Sequence, residues 1–233
     1  MRNVIIACDF QNREETIAFL SCFEGEKPFL KIGMELFYGQ GPDFVREIKD
    51  AGFPVFLDLK LHDIPNTVKK AMVNLARLGV DMVNVHASGT IAMMEAAREG
   101  LNQGTQAGKT VQLVAVTQLT STLQEVMQRE LLITESLNDT VARYAQNAKA
   151  AGLDGVVCSP LETQLVKQVC GNDFLAVTPG IRYPEGSMDD QKRVTTPQQA
   201  RANGSDFIVV GRPITGAEDP KAAWLRVTAD FLG

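Results

Sequence analysis

The sequence has no apolar run approaching the roughly 18 residues that a membrane-spanning helix needs. Its first ten residues, MRNVIIACDF, lack the basic segment and the long apolar segment of a secretory signal peptide. It also has no basic tract, few aromatic residues and a net charge of -5. These absences argue against a membrane protein and a nucleic-acid-binding protein, and they predict a cytoplasmic location.

Cysteine and histidine are scarce as well. The four cysteines form no CxxC pair and lie in segments with strand-like or helix-like character. We therefore expect buried, reduced thiols rather than disulfides or zinc ligands. The two histidines, His62 and His86, lack the neighbours of a metal site or a catalytic triad, so we expect structural roles for both, with a hydrogen bond for His62. The cysteines are Cys8, Cys22, Cys158 and Cys170.

What is present is a regular alternation of two kinds of segment. Short runs rich in Val, Ile, Leu and Phe are separated by amphipathic segments with helical spacing. Several amphipathic segments end on a glycine just before the next run, as helix C-terminal caps do. The runs occupy residues 3–9, 29–34, 55–60, 82–87, 112–117, 155–159, 174–180 and 207–212, and the glycines are Gly52, Gly79, Gly152 and Gly204.

Eight strand-helix repeats predict a (β/α)8 TIM barrel, because continuous apolar strands suit a parallel sheet that is buried on both faces. An open, doubly wound sheet is the alternative, although no GxGxxG follows the first run. The chain has 45% hydrophobic residues and no linker or break in composition. We therefore expect one domain that spans residues 1–233.

Polar residues stand where several of these strands are expected to end, which is where barrels of this type carry their catalytic groups. Asp58 and Lys60 are two residues apart and should share a face, and Lys31 on the neighbouring strand can join them. Asp63 lies beyond the strand and need not point into its own barrel. A structural salt-bridge network is the alternative, but buried charge is costly, and we favour catalysis. The other polar strand-end residues are Asp9, His86, Thr117 and Arg212.

The last two strands carry a second signal. The loop VTPGIRYPEGSMDDQKR contains Arg182 and Gln191, and VVGRPIT contains Gly211 and Arg212. Loops at these positions of a barrel frequently bind phosphate, and arginine offers forked donors that match phosphate oxygens. A solvated loop residue for Arg182 and a surface salt bridge for Arg212 are the alternatives. Together the two arginines favour a phosphate site.

The motif FLDLKLHDIPNTV at residues 56–68 resembles the signature of the orotidine 5'-monophosphate decarboxylase family, in its bacterial form. KIGMELF, VTQLTS, TPGIR and VVGRPIT follow in the order that this family shows, and the resemblance covers essentially the whole chain from ACDF onward. It implies conversion of orotidine 5'-monophosphate (OMP) to UMP and CO2, without a cofactor or metal.

The resemblance also implies the roles of individual residues. Lys31, Asp58, Lys60 and Asp63 would form a charged array in which Lys60 protonates C6 of the pyrimidine. The chain would form a homodimer in which Asp63 and Thr67 cross the interface into the other subunit's site. The remaining substrate contacts would be Asp9 and Lys31 on ribose, Thr120 on the pyrimidine, Gln191, Gly211 and Arg212 on phosphate, and Arg182 beside the closing loop.

Two other functions remain as alternatives. Magnesium-dependent sugar-phosphate decarboxylases and lyases of the same barrel superfamily share the DxKxxD motif, but LHDIPNTV and VTQLTS favour the pyrimidine enzyme. A non-catalytic nucleotide-binding protein would keep the phosphate site alone. The presence of both Asp58 and Lys60 argues against it, because binding does not require that array.

Overall fold

The structure, a computed structural model, describes residues 3–184 and 195–233. Its strands close into one parallel barrel in sequence order, with the first strand paired to the last. This confirms the predicted TIM barrel and excludes the open sheet. The strands are β1 (Asn3–Cys8), β2 (Phe29–Gly33), β3 (Val55–Leu61), β4 (Met82–His86), β5 (Gln112–Val116), β6 (Gly155–Val157), β7 (Leu175–Thr178) and β8 (Phe207–Val210).

Helices surround the barrel. The longest, α2, bends at Gly41, which has a φ of 76° and precedes Pro42. The helices are α1 (Arg13–Ser21), α2 (Met34–Asp50), α3 (Pro65–Ala76), α4 (Thr90–Gly104), α5 (Gln124–Glu130), α6 (Leu137–Ala150), α7 (Thr163–Cys170), α8 (Pro197–Ala202), α9 (Arg212–Thr215) and α10 (Pro220–Leu232), with a 3-10 turn at Ala87–Gly89. No helix in the described ranges is long and apolar enough to cross a membrane.

The barrel interior changes character along the strands. Its lower part is a small apolar core that includes Phe29, Phe56 and Met82. Two residues further along the same three strands, and so on the same face, stand Lys31, Asp58 and Asn84, which are all buried. A larger apolar core fills the space between sheet and helices. The inward positions of strands β2 to β4 are therefore apolar at the bottom and polar at the mouth.

The predicted glycine caps are present. Gly52, Gly79, Gly152 and Gly204 all have φ between 73° and 93°, a region that favours glycine. Each glycine lies within four residues of the strand that follows it. The helix ends were therefore readable from the sequence.

Three of these glycines are followed two residues later by an aspartate that ties neighbouring strands together. Asp154 accepts the Leu113 backbone N–H at 2.6 Å and pairs with Arg98. Asp81 accepts a hydrogen bond from the Val55 N–H and forms an ion pair with Lys49. Asp206 accepts one from the Ala176 N–H and forms an ion pair with Lys167. Because each aspartate precedes its strand, these ties lie at the end of the barrel opposite the mouth.

Helices α3 and α4 pack with their backbones in close approach. A Cβ atom on Gly100 would lie 2.2 Å from the Lys69 carbonyl oxygen, and one on Gly104 would lie 2.4 Å from that of Val73. Only glycine fits at such distances. Since the last four residues of the signature motif, 65–68, form the start of α3, this packing fixes the helix that contains the end of the motif against α4.

The thiols follow the prediction with one exception. All four cysteines are free, and Cys8, Cys158 and Cys170 are buried. Cys22 is exposed, so the expectation that it is buried was wrong. It follows the last residue of α1, on the part of that helix that faces away from the sheet.

Candidate active site

Four charged residues meet at the mouth of the barrel. Lys31 Nζ lies 2.9 Å from Asp9 Oδ1 and 3.5 Å from Asp58 Oδ2, and Lys60 Nζ lies 2.6 Å from Asp58 Oδ1. The residues come from β2, β3 and the end of β1, which are neighbours in the sheet. The structure therefore brings Lys31, Asp58 and Lys60 together, and Asp9 joins them through Lys31.

Burial and charge act in opposite directions on this cluster. Burial by itself would lower the pKa of Lys31, which is 9% exposed, but Asp58 and Asp9 raise that pKa above its ordinary value. Burial by itself would raise the pKa of Asp58, but Lys31, Lys60 and hydrogen bonds from Lys60 and Asn84 lower it below its ordinary value. Lys31 and Asp58 are therefore both charged at neutral pH.

A cavity of about 350 Å³ opens beside this cluster. Its lining includes the charged residues Lys31, Asp58 and Lys60 and the polar residues Gln118, Thr120 and Ser121. The rest of the lining is apolar and consists of Phe56, Val116, Leu119, Val157, Cys158, Pro179 and Val209. The cavity thus combines charged, polar and apolar residues around a space large enough for a small molecule.

A second cavity of about 380 Å³ shares Lys31, Pro179 and Val209 with the first. Its lining contains Asp9, Gly180, Arg182, Gly211, Arg212 and Thr215. The two arginines that the sequence assigned to a phosphate site therefore lie in one cavity, together with backbone from the loops after β7 and β8. Lys31 stands at the junction of the two cavities.

The loop after β7 is closed at its base. The Arg182 N–H donates to the Thr195 carbonyl at 3.0 Å, and the Thr195 N–H donates to the Gly180 carbonyl at 3.1 Å. These bonds hold the two ends of the segment next to the second cavity. Gln191, the predicted phosphate ligand in this segment, lies outside the described residues.

Asp63 and Thr67 lie apart from both cavities. Residues 62–67 are all exposed, and Asp63 Oδ1 accepts the N–H of the next residue, Ile64, at 2.7 Å. Ile64 is 67% exposed, which is unusual for a large apolar side chain. The strand ends at Leu61, so the turn into α3 carries these residues away from their own barrel mouth.

The two histidines contact each other. Their ring centroids are 5.9 Å apart, and neither imidazole hydrogen-bonds to another residue within the described ranges. The hydrogen bond expected for His62 is therefore not found there. Burial, His62 and Lys60 lower the pKa of His86, and Asp58 partly opposes them. Within the described ranges, no three His, Cys, Asp or Glu side chains are grouped to hold a metal ion.

Sequence reasoning missed Asn84 and Gln118. Asn84 is 1% exposed and hydrogen-bonds to both Asp58 and Lys60. The sequence feature that could have identified Asn84 is a carboxamide inside the apolar run MVNVHA, two residues before His86 and so on the same face of the strand. Gln118 is buried and lines the first cavity two residues before Thr120. Asn84 lies within β4, and Gln118 lies two residues after the end of β5.

Comparisons with known proteins agree over the whole chain. A family model described as orotidine 5'-phosphate decarboxylase / HUMPS family matches residues 2–227. The chain is 57% identical to orotidine 5'-phosphate decarboxylase of Listeria innocua serovar 6a over 231 residues, with 99% of each chain covered. It is 54% identical to that of Geobacillus thermodenitrificans, covering 98% of this chain and 96% of the relative. The crystal structure of orotidine 5'-phosphate decarboxylase from Lactobacillus acidophilus matches with a TM-score of 0.91 at 43% identity, with 100% of both chains covered.

Proposed function

The chain belongs to the orotidine 5'-phosphate decarboxylase family and decarboxylates OMP in pyrimidine biosynthesis, and we propose that Lys60 is the proton donor in a cofactor-free reaction. One observation carries the proposal: Lys31 lines two cavities, one of which also contains Asp58, Lys60 and apolar residues, while the other contains two arginines. This division matches a nucleotide whose base and phosphate differ in chemistry.

The proposed placement of the substrate follows this division. The pyrimidine occupies the first cavity, with Thr120 at its polar edge and C6 toward Lys60. The phosphate occupies the second cavity, where Arg212 and the Gly211 backbone bind it and Arg182 lies beside it. The ribose lies at the junction, with its hydroxyls on Asp9 and Lys31. Gln191 joins the phosphate contacts in this proposal.

In the proposed chemical step, the main task of the protein is to place fixed charges beside the reacting carbon. The bond between C6 and the carboxylate carbon breaks, CO2 leaves, and the electron pair stays on C6. That carbanion has little resonance stabilisation, so an ammonium placed beside it stabilises the developing charge electrostatically. Lys60 then transfers a proton to C6, which forms the C6–H bond of UMP, and regains a proton from water.

Asp58 has two roles in the proposal. It orients the Lys60 ammonium, from which its Oδ1 lies 2.6 Å. It also lies near the position of the substrate carboxylate, and two like charges ~4 Å apart repel by about 4 kcal/mol at an effective dielectric of 20. Departure of neutral CO2 relieves this repulsion. Asp58 stays charged for this role because Lys31 and Lys60 stabilise its carboxylate.

Binding energy at the phosphate also contributes. In this proposal, contacts of the phosphate with Arg212 and Gln191 supply binding energy that orients the pyrimidine.

We infer further that the active form is a homodimer in which Asp63 and Thr67 of the partner subunit complete each site. The exposure of residues 62–67, and of Ile64 in particular, supports a protein surface that another copy covers. Mixing Lys60→Ala with Asp63→Ala protein tests this. Hybrid dimers contain one site with both residues intact and should regain activity, and no recovery after subunit exchange would contradict the dimer site.

The proposed location is the cytoplasm. Four free cysteines fit a reducing compartment, where structural disulfides are rare. Fractionation of cells followed by an activity assay checks this. Activity confined to a membrane or extracellular fraction would contradict it.

The first experiment is loss of OMP absorbance with purified protein in excess EDTA. Metal-free conversion to UMP supports the proposed mechanism. Activity that appears only on a keto-sugar phosphate after magnesium is added would instead identify the related lyase chemistry. UMP binding without any turnover would identify a nucleotide-binding protein.

A further inference from the structure

The pairing between β3 and β4 is interrupted at the catalytic residues. Leu57 pairs with Val83 and Leu61 pairs with Val85. Residues 58–60 of β3 therefore stand opposite the single residue Asn84 of β4. Such a bulge leaves backbone groups without their ladder partners and redirects side chains, as bulges near active sites often do.

Lys60 has an unusual backbone conformation in this bulge. Its φ is 52°, in the left-handed region that non-glycine residues seldom occupy. Its N–H donates to Asn84 Oδ1 at 2.8 Å, so a side chain takes the place of the missing strand carbonyl. The conformation that directs Lys60 into the mouth is thus stabilised by Asn84.

The other end of the same carboxamide holds Asp58. Asn84 Nδ2 donates to Asp58 Oδ1 at 2.6 Å, and the same oxygen accepts from Lys60 Nζ. The orientation of the amide follows from chemistry, because a backbone N–H needs an acceptor and an ionised carboxylate needs a donor. Asn84 therefore contacts the backbone of one catalytic residue and the side chain of the other.

Burying a carboxamide in a strand is costly unless both of its ends are satisfied. An apolar residue would serve the barrel core equally well, as Met82 and Val114 do in neighbouring inward positions. Asn84 is 1% exposed, and within residues 3–184 and 195–233 its side chain hydrogen-bonds to Asp58 and Lys60 alone. Both ends of the Asn84 amide bind catalytic residues, so this polar side chain serves the catalytic residues rather than the packing of the core.

We propose that Asn84 is a positioning residue that sets the geometry of Lys60 and Asp58 relative to C6 of the substrate. The inference rests on the proposed function, since it assigns Asn84 to the same reaction. Asn84 does not touch the reacting atoms, and it acts through the two residues that do.

Kinetics of two variants test the proposal. In Asn84→Ala both hydrogen bonds are lost, and we expect kcat to fall about 100-fold, since a misplacement near 1 Å costs that much. The KM for OMP and the Kd for UMP should change less than about threefold, because ribose and phosphate contacts come from other strands. Because a smaller fraction of folded enzyme would also lower kcat alone, kcat is calculated per UMP-binding site, with the number of sites taken from the UMP titration.

Asn84→Asp is the second variant and keeps the shape of the side chain. It retains an acceptor for the Lys60 N–H but places a second carboxylate against Asp58. Like charges raise the pKa of such a pair, so the acidic limb of the kcat profile should move to higher pH. The pH profile of Asn84→Asp still tests the proposal if Asn84→Ala does not fold.

Ser205→Ala is the matched control. Ser205 is buried and accepts a hydrogen bond from the Thr178 hydroxyl at 2.9 Å, outside both cavities. It should lose stability and keep kcat. Wild-type kcat and an unmoved pH profile in the Asn84 variants, or an equal loss of kcat in Ser205→Ala, would overturn the inference. If the wild-type protein itself fails to decarboxylate OMP, the proposed function fails instead, so the two failures are distinguishable.

Discussion

The Nζ atom of Lys60 lies 2.6 Å from Oδ1 of Asp58, although only Leu59 separates the two residues in the chain. In a regular strand, alternation places such residues on one face with their side chains roughly parallel. Here the bulge turns Lys60 back toward the carboxylate. The pair can therefore present an ammonium and a carboxylate to the same small region of a bound substrate.

Lys60→Ala should abolish turnover and keep UMP binding. Loss of the proton donor and of the charge beside C6 should lower kcat by at least about 10⁴-fold, since each effect is worth 10² or more. The checks are single-turnover conversion of OMP and calorimetric titration with UMP. Lys109→Ala, an exposed lysine near the opposite end of the barrel, is the control. Residual activity within tenfold of wild type would exclude Lys60 as the donor.

Arg212→Ala should raise KM more than it lowers kcat. A charge-assisted hydrogen bond contributes about 1.5–3 kcal/mol, which corresponds to roughly 10- to 100-fold weaker binding of the phosphate group. Steady-state kinetics with OMP check this, and Arg77→Ala, an exposed arginine after α3, is the control. If orotidine, which lacks the phosphate, loses as much affinity as OMP, then Arg212 does not bind phosphate.

Stability should fall in mild acid because of His86. The pKa of this group is below its ordinary value of 6.5 in the folded chain, so the unfolded chain binds more protons in the window just below pH 6.5. The contribution of neutral His86 to the free energy of unfolding is fully present above pH 6.5, and it is lost as the pH falls toward the lowered pKa of this group. Urea denaturation at pH 7.5, 6.5 and 5.5 measures it. His86→Asn should reduce the pH dependence, and an unchanged slope in this variant would contradict the assignment.

Asp154→Ala should destabilise the barrel without changing kcat. It leaves the Leu113 N–H without its acceptor and Arg98 without its partner, at a cost of about 1–3 kcal/mol. Asp154→Asn keeps an acceptor oxygen and should cost less. Chemical denaturation and OMP turnover check both variants. A large loss of kcat in folded Asp154→Ala protein would mean that this end of the barrel influences the mouth.

Local patterns in the sequence were sufficient for the architecture. Apolar runs, helical spacing and the closing glycines predicted the eight strands to within a few residues, because these signals arise from neighbouring positions in the chain. The same patterns located Asp58 and Lys60 at a strand end and Arg182 and Arg212 in the last two loops. The identity of most candidate residues therefore needed no tertiary information.

The sequence by itself determined the barrel and the chemical types that stand at its mouth. Only the tertiary structure decided that Lys31 lines two cavities, that Asn84 bridges Asp58 and Lys60, and that Asp63 is exposed and lines neither cavity. The physical reason is register: a bulge in β3 and its pairing with β4 depend on contacts between residues more than twenty positions apart. Periodicity along one strand carries no information about which residue of the next strand stands opposite.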